Sequence, residues 1–367
     1  MPVWWRKTTT DPARADILPT GEKKVKKRYE WFDNAKGFLI YCVILGHVVE
    51  RFLSRSWLAG RIQLWIYLFH MPAFVFLAGL FSKRAVMERR VDKALSYLFL
   101  FYFLKAAFYA AGIYVKGAEN AEFLLFTESG IPWFCLAMCW WYLAAILTRS
   151  LSPAIVLTGS LVLSAITGYF PIDGSFLVLF RTFNFFPFFY LGYLTDPAQL
   201  RQLTQNKAAR IAGALILTAA MGMCFLFYGK ADKLLMLLRG RYRYEEIGKE
   251  LCGIGGCFCR MTIFILSGIM ILSFFCVIPR EKTPLALIGI QTLPVYAFHG
   301  LFITILIGRF RTIRDWMLSG HLFLHCVLFS LLVLCLTLLP PFGWIARFIM
   351  RLPAAAAEKT RARDDYK

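Results

Sequence analysis

The stretch of sequence that decides the fold is RYEWFDNAKGFLIYCVILGHV, residues Arg28–Val48. It opens with charged and polar residues and continues as a hydrophobic run that carries Lys36 and His47. An ionisable group inside a membrane helix is costly, so its presence favours a functional site. The two residues are about three helical turns apart and project from nearly one face, about 16 Å apart along the axis. This spacing allows one site to use both.

Two acidic residues are placed to partner these groups. Asp33 precedes Lys36 by three residues and is predicted to pair with it at the helix start, where the helix dipole also favours a carboxylate. Glu50 follows His47 by three residues and is predicted to orient the imidazole. The alternative interpretation is that Lys36 extends to the lipid headgroups and His47 only packs between helices.

The composition excludes an ordinary soluble domain. Of the 367 residues, 59% are hydrophobic and only 17% are charged, with a mean hydropathy of +0.58, whereas charged residues make up about a quarter of a soluble domain. At roughly 20 apolar residues per span, the chain has room for about ten transmembrane helices in one bundle. We therefore predict an all-α integral membrane protein, a single polytopic bundle of about ten transmembrane helices.

The predicted spans follow the apolar runs of the sequence. They cover residues 36–53, 62–82, 94–115, 132–148, 153–170, 176–195, 211–228, 257–278, 291–308 and 322–340. We expect three parts: a disordered basic cytoplasmic N-terminus (1–30), a membrane domain (31–345) and a cytoplasmic C-terminal tail (346–367). No short apolar stretch with a small-residue cleavage site opens the chain, so no removable signal peptide is expected.

The net charge of +20 is attributed to membrane topology. Many basic residues flank apolar runs, as cytoplasmic loops do, so a nucleic-acid partner is not expected. The connection Lys83–Lys93 is strongly basic, and Gly117–Gly130 is acidic. The contrast predicts which side of the membrane the early connections face, and with ten spans both termini are predicted to be cytoplasmic. We expect the protein in the cell (plasma or inner) membrane.

One later connection does not fit this topology. The segment 229–256 carries several basic residues, including Arg239, Arg241 and Arg243, yet the parity of the spans places it outside. Either this loop recruits an acidic or phosphate-bearing ligand, or one of the later spans is wrong.

The cysteines predict no metal centre. Most of the ten occur singly in apolar stretches, which is typical of buried thiols acting as small hydrophobes. Cys252, Cys257 and Cys259 cluster, but no histidine accompanies them and their spacing is not that of a metal-ligand pair. We therefore expect no bound metal.

Two further histidines lie in apolar runs. His70 is followed by Met71 and Pro72, and a proline inside a membrane helix is tolerated where the break lines a cavity or faces other helices. His70 is therefore a candidate ligand-facing group, or else only a donor to a neighbouring carbonyl. Tyr296 and His299 are neighbours on one helical face, although Tyr296 alone also suits the aromatic belt.

The remaining histidines, His321 and His325, are predicted to be interfacial. The other three imidazoles, those of His47, His70 and His299, lie in or beside apolar helices. They indicate proton handling, because the unperturbed pKa of histidine is near neutrality. They do not by themselves separate an enzyme from a transporter.

The opening stretch resembles that of the membrane-bound acyltransferase family 3, whose first helix carries a basic residue, ten intervening residues and a histidine. Here the pair is Lys36 and His47. FHMPAFVFLAGLF (Phe69–Phe81) is similar to the fucose 4-O-acetylase-like branch, with Ala78 where serine is common. Further similarities are RRVDK (Arg89–Lys93), PWF (Pro132–Phe134) and VYAFHG (Val295–Gly300).

The resemblance implies O-acylation, in which acetyl-CoA on the cytoplasmic side donates an acetyl group to a hydroxyl of a sugar or glycolipid. It implies His47 as the general base, with Lys36 stabilising charge on the coenzyme A phosphates or on the thioester oxygen.

In the same interpretation, Arg89, Arg90 and Lys93 hold the coenzyme A phosphates, or they are plain topology anchors. His70 and His299 bind the acceptor or assist proton transfer. Tyr296 and Glu50 complete the predicted substrate site.

Two other classes of function remain open from the sequence. One is a proton-coupled glycolipid transporter or flippase that uses the same histidines as a proton relay. The other is a non-catalytic structural relative, against which the presence of both Lys36 and His47 argues. An enzyme should need the basic cytoplasmic residues and consume acetyl-CoA.

Overall fold

The computed structural model describes residues 29–120, 122–226, 229 and 231–364. Within them the chain forms helices joined by short connections, with one isolated antiparallel bridge between Thr127 and Phe176. The predicted disordered segment, 1–30, lies almost wholly outside the described residues.

The first half of the chain forms helices α1 (Glu30–Glu50), α2 (Trp57–Tyr67), α3 (His70–Leu80), α4 (Lys83–Met87), α5 (Val91–Lys116), α6 (Trp133–Thr148), α7 (Pro153–Ile166), α8 (Leu179–Leu194) and α9 (Pro197–Thr204). The second half forms α10 (Lys207–Leu226), α11 (Ala231–Arg239), α12 (Tyr244–Ile247), α13 (Gly255–Val277), α14 (Pro284–Ile290), α15 (Thr292–Arg309), α16 (Arg311–Leu318), α17 (Leu322–Thr337) and α18 (Pro340–Asp364).

The membrane character of the fold is confirmed. Of the described helical segments, six are long and apolar enough to cross a bilayer: α1, α2 with α3, α5, α10, α13 and α15. A seventh results if α17 and Pro340–Pro353, which meet at 63°, form one bent span. Every predicted span coincides with a helix or a helix pair, but α6, α7 and α8 have only 16, 14 and 16 residues and are not among the candidate spans. Six or seven full-length spans are therefore fewer than the ten predicted.

The surface of the bundle is suited to lipid. Helix α10 buries only Gly213 and Cys224 among its residues, and Leu215 and Leu226 are 65% and 77% exposed. Apolar side chains in such numbers on the outside of a helix mark a surface that water does not solvate.

The second predicted span is broken, but not at its proline. Helix α2 ends at Tyr67 and α3 begins at His70, so Pro72 lies in the first turn of α3. A proline is tolerated there because the first N–H groups of a helix have no intrahelical partner. The break lies just before His70 and positions its ring.

The N-terminal part of α1 is tied to the connection between α13 and α14. The buried Asn34 amide donates to the carbonyls of Pro279 and Glu281 (2.9 and 2.6 Å), and Thr283 Oγ1 donates to Asn34 Oδ1 (2.6 Å). Side-chain bonds of this kind satisfy carbonyls that a connection leaves without helical partners.

Glycines let α1 approach α14 closely. A Cβ added to Gly37 would lie 2.0 Å from the carbonyl oxygen of Leu285, and one added to Gly289 would lie 1.8 Å from that of Asp33. Such reciprocal small residues allow two helix backbones to touch. Helix α14 has only seven residues, which is too short for a span and explains why hydropathy does not reveal it.

Helices α1 and α15 run in the same direction. The start of α1 meets α14, which precedes α15, and Arg51 at the end of α1 lies 3.4 Å from Thr304 of α15. Helix α3 runs the opposite way, since Phe81 at its end lies over Lys36. The bundle therefore has a Lys36 end and a His47 end.

The C-terminal boundary predicted at 345 falls inside α18, which packs against α5 and α15. Ser96 Oγ of α5 donates to the carbonyl of Met350 (2.7 Å). The described part of the segment predicted as a tail, 346–364, is thus helical, and its first turns pack in the bundle.

Candidate active site

A polar cavity of about 320 Å³ lies at the His47 end of the bundle. It is formed by the last turn of α1, the start of α3, the connection before α6, the start of α8, and α11 with the residues after it. Its charged, histidine and tyrosine side chains are His47, Glu50, Arg51, Tyr67, His70, Arg181, Arg239 and Arg241. A volume of this size is at the lower end of those that hold small molecules.

His47 and Glu50 form a pair in this cavity. Nδ1 of His47 lies 3.4 Å from Oε2 of Glu50, and the two side chains are 27% and 35% exposed. The other carboxylate oxygen, Oε1, accepts a hydrogen bond from Arg239 at 2.6 Å. A carboxylate facing Nδ1 holds its hydrogen there and leaves Nε2 free to accept a proton.

Arg239 remains charged in this arrangement. Burial works against its charge, but the carboxylate of Glu50 and the hydroxyls of Tyr67 and Tyr242 outweigh burial, so the pKa of Arg239 is raised above its ordinary value. Glu50 is therefore shared between a permanent cation and the imidazole of His47.

His299 lies beside His47. The two ring centroids are 5.5 Å apart, and His299 is fully buried. Its Nδ1 lies 3.0 and 2.8 Å from the carbonyls of Val295 and Tyr296. Because both partners can only accept, Nδ1 carries the hydrogen. Nε2 is then a buried acceptor without a hydrogen-bond partner in the described structure.

His70 has the same tautomer. Its Nδ1 lies 2.8 Å from the carbonyl of Ile66, and its ring is 4.8 Å from that of Tyr67. The residue is buried and lines the cavity with Met71. The motif around Pro72 thus brings His70 to the same site as His47.

Among the predicted substrate residues, His299 does not line the cavity, and neither does Tyr296. The hydroxyl of Tyr296 donates to the carbonyl of Ile131, which does line the cavity. Tyr296 therefore joins α15 to the connection before α6 and lies one turn from His299.

Lys36 and Asp33 are at the opposite end of α1. They form the predicted pair, with Nζ 3.0 Å from Oδ1, and Nζ lies 4.6 Å from the centre of the Phe81 ring. Neither residue lines the His47 cavity. The structure therefore does not bring Lys36 and His47 into one cavity, and the two lie about 16 Å apart along the helix.

Arg89, Arg90 and Lys93 lie in the connection at the Lys36 end and at the start of α5. Arg90 forms a bidentate pair with Asp92, at 2.8 and 2.6 Å, and Arg89 adopts a positive φ of 53°. None of the three lines the His47 cavity.

The two remaining histidines and the cysteines do not line the cavity. His325 stacks on Trp316 at 4.5 Å, and His321 precedes α17 and is exposed. The ten cysteines are free, and among the described residues no group of three or more His, Cys, Asp or Glu side chains is arranged to hold a metal ion.

Sequence reasoning missed Arg181 and Trp133. Arg181 is 8% exposed, and its guanidinium lies 4.8 Å from the centre of the Trp133 ring. The signal was present, because an arginine within an apolar run such as 176–195 is itself a functional-site hypothesis.

The fold and cavity define an integral membrane protein with an internal polar site built around histidines. Comparison with known families identifies it further: the family described as an acyltransferase domain matches residues 29–340. The chain belongs to this family, acyltransferase family 3, as its motifs predict.

Two relatives are similar to part of the chain. Nodulation protein NolL of Sinorhizobium fredii is 31% identical over 219 residues, which cover 54% of this chain and 57% of that protein. Nodulation protein NolL of Mesorhizobium japonicum is 30% identical over 218 residues, which cover 54% and 56%. The chain spans a little over half the length of these curated relatives. No solved structure matches it significantly.

Proposed function

We propose that the protein is an O-acyltransferase that moves an acetyl group from acetyl-CoA to a hydroxyl of a sugar, a polysaccharide precursor or a glycolipid. The observation that supports this most is the pair formed by His47 and Glu50 at the polar cavity. The buried ring of His299 lies 5.5 Å from that of His47, outside the cavity lining. Family membership supports acyl transfer.

In this proposal His47 is the general base. The acceptor hydroxyl gives its proton to Nε2 of His47 as its oxygen attacks the thioester carbonyl carbon. The carbon–sulfur bond then breaks, and the imidazolium returns the proton to the departing thiolate. Glu50 stabilises the imidazolium that forms between these steps, and a base of this kind contributes about 10² to 10⁴ in rate.

His299 and His70 are proposed to position the acceptor. Each has Nδ1 fixed by a backbone carbonyl, so each presents Nε2 as an acceptor for a hydroxyl. Of the two, only His70 lines the cavity, which makes it the stronger candidate. The fully buried Nε2 of His299 has no hydrogen-bond partner in the described structure, and an orphaned buried acceptor is costly unless a ligand satisfies it.

The donor is proposed to enter from the Lys36 end. Lys36, Arg89, Arg90 and Lys93 would hold the phosphates of coenzyme A as charge-assisted partners. The pantetheine arm separates these phosphates from the thioester, so the distance between Lys36 and His47 favours the phosphates, rather than the thioester oxygen, as the partner of Lys36.

Charge at the Lys36 end supports the proposed topology. Burial and the neighbouring charges of Arg201 and Arg210 lower the pKa of Arg280 in the connection after α13, which shows that cations gather there. By the positive-inside rule this end is cytoplasmic. We propose a multi-pass protein of the cell membrane with both termini in the cytoplasm.

The experiment is mass spectrometry of cell-envelope glycans and glycolipids from cells with and without the protein. The proposal expects one class of glycan to lose the mass of an acetyl group when the protein is absent. An unchanged acetylation pattern, together with a glycolipid trapped on one side of the membrane, would favour the transporter instead.

A further inference from the structure

Four arginines line the candidate active site, and of these only Arg239 forms a salt bridge among the described residues, to Glu50. Arg51, Arg181, Arg239 and Arg241 line the cavity with Glu50 as the one acidic side chain. Four guanidinium groups against one carboxylate give the lining a net charge of +3. Glu128, which acts on Arg181 from outside the lining, is itself paired with Lys105. Like charges gathered in a poorly solvated site repel one another strongly unless an anion binds there.

The contacts of Arg181 fix its guanidinium and leave one nitrogen without an acceptor in the described structure. Its Nε and one terminal nitrogen lie 3.4 and 3.3 Å from the carbonyls of Arg239 and Ser129. The remaining nitrogen, Nη1, is buried and has no hydrogen-bond partner in the described structure. With the guanidinium fixed against Trp133, this N–H is a positioned donor that lacks an acceptor.

Arg241 extends the same basic surface. Its Nη1 lies 3.4 Å from the carbonyl of Ser129, and its Nη2 is 2.6 Å from the hydroxyl of Tyr242. No carboxylate lies within 4 Å of it among the described residues. Burial raises the pKa of the Tyr242 hydroxyl. The hydrogen bonds and positive charges of Arg241 and Arg239 outweigh burial and lower this pKa below its usual value. The potential at this side of the cavity is therefore positive.

We propose that these arginines bind a phosphate or diphosphate ester group that the acceptor carries next to the hydroxyl to be acylated. Guanidinium groups match the oxygens of phosphate in pairs, and more than one negative charge is needed to balance the cavity. This inference rests on the proposed function, since it takes the cavity as the acceptor site. It also accounts for Arg239 and Arg241, two of the basic residues of segment 229–256 that the positive-inside rule leaves unexplained.

The position of the cavity assigns the anion to the acceptor. The arginines lie at the His47 end: Arg51 follows α1, Arg181 lies on α8, Arg239 ends α11 and Arg241 follows it. The basic connection Lys83–Lys93 lies at the Lys36 end. Coenzyme A also carries phosphates, so the experiment must separate the two sources.

The test uses the full-length protein in detergent and inorganic pyrophosphate as the probe, with binding measured by calorimetry. Wild-type protein should bind pyrophosphate saturably, and Arg241→Gln should weaken binding about tenfold, the loss of one charge-assisted interaction. The matched control is Arg311→Gln, because Arg311 is 85% exposed, pairs with Asp315 and does not line the cavity. The control should bind within about twofold of wild type.

Three results would overturn the proposal: no saturable binding by wild-type protein, unchanged binding by Arg241→Gln, or equal weakening by Arg311→Gln. The same variants titrated with coenzyme A separate the sources. The proposal expects unchanged coenzyme A affinity in Arg241→Gln, and a loss as large as that for pyrophosphate would assign the arginines to the donor. Pyrophosphate binding requires neither donor nor turnover, so its failure is distinguishable from failure of acyl transfer.

Discussion

The imidazole rings of His47 and His299 lie with their centroids 5.5 Å apart and their planes inclined by 32°. They come from α1 and α15, two helices that run in the same direction although about 250 residues separate them in the chain. The rings meet because these two helices pack against each other, and the proposed active site depends on that contact.

Glu50 is expected to matter through His47. Glu50→Gln keeps the size of the side chain but removes the charge that fixes Nδ1–H and stabilises the imidazolium, so kcat for acyl transfer should fall at least about tenfold, with little change in KM for the donor. Steady-state kinetics on purified protein would measure this. A rise in donor KM with kcat unchanged would contradict the assigned role.

Lys36 is expected to act on the donor. Lys36→Ala removes a charge from the Lys36 end, and KM for acetyl-CoA should rise about tenfold, the loss of one charge-assisted interaction with phosphate. Lys36→Arg keeps the charge and should retain most activity. If Lys36→Ala changes only kcat, Lys36 acts near the reacting atoms and the proposed donor position is wrong.

The contact between α1 and α14 should tolerate no added methyl group. Gly37→Ala or Gly289→Ala places a Cβ within 2.0 Å of a backbone oxygen, so the helices must separate, and we expect a loss of about 1–3 kcal/mol in stability. The control is Gly112→Ala on α5, where an added Cβ has no neighbour within 4 Å. Thermal unfolding in detergent should show a lower Tm for the first two variants only.

The sequence predicted local features well. The apolar runs located the helices of the bundle, and the three-residue spacings predicted the Asp33–Lys36 pair and the approach of Glu50 to His47. These features depend on neighbours within one helix, where the 3.6-residue period determines which side chains meet.

Long-range features were not predictable in the same way. Sequence spacing suggested that Lys36 and His47 share a site, because both lie on one face of α1, but the cavity occupies only the His47 end. The ring beside His47 comes from α15, and the arginines that line its cavity come from α8 and α11 among other elements. No hydropathy pattern states which helices are neighbours. Hydropathy did not predict short helices such as α14, because they are too short to cross a bilayer.

The most direct test of the central claim is acetyl transfer by His47→Ala, measured with radiolabelled acetyl-CoA and a membrane glycolipid extract. His321→Ala is the matched control, since His321 is exposed and does not line the cavity. The account predicts that His47→Ala loses about 10² to 10⁴ in rate while it remains folded and inserted, and that His321→Ala transfers acetyl like wild type. Transfer by a folded His47→Ala protein at the wild-type rate would contradict it.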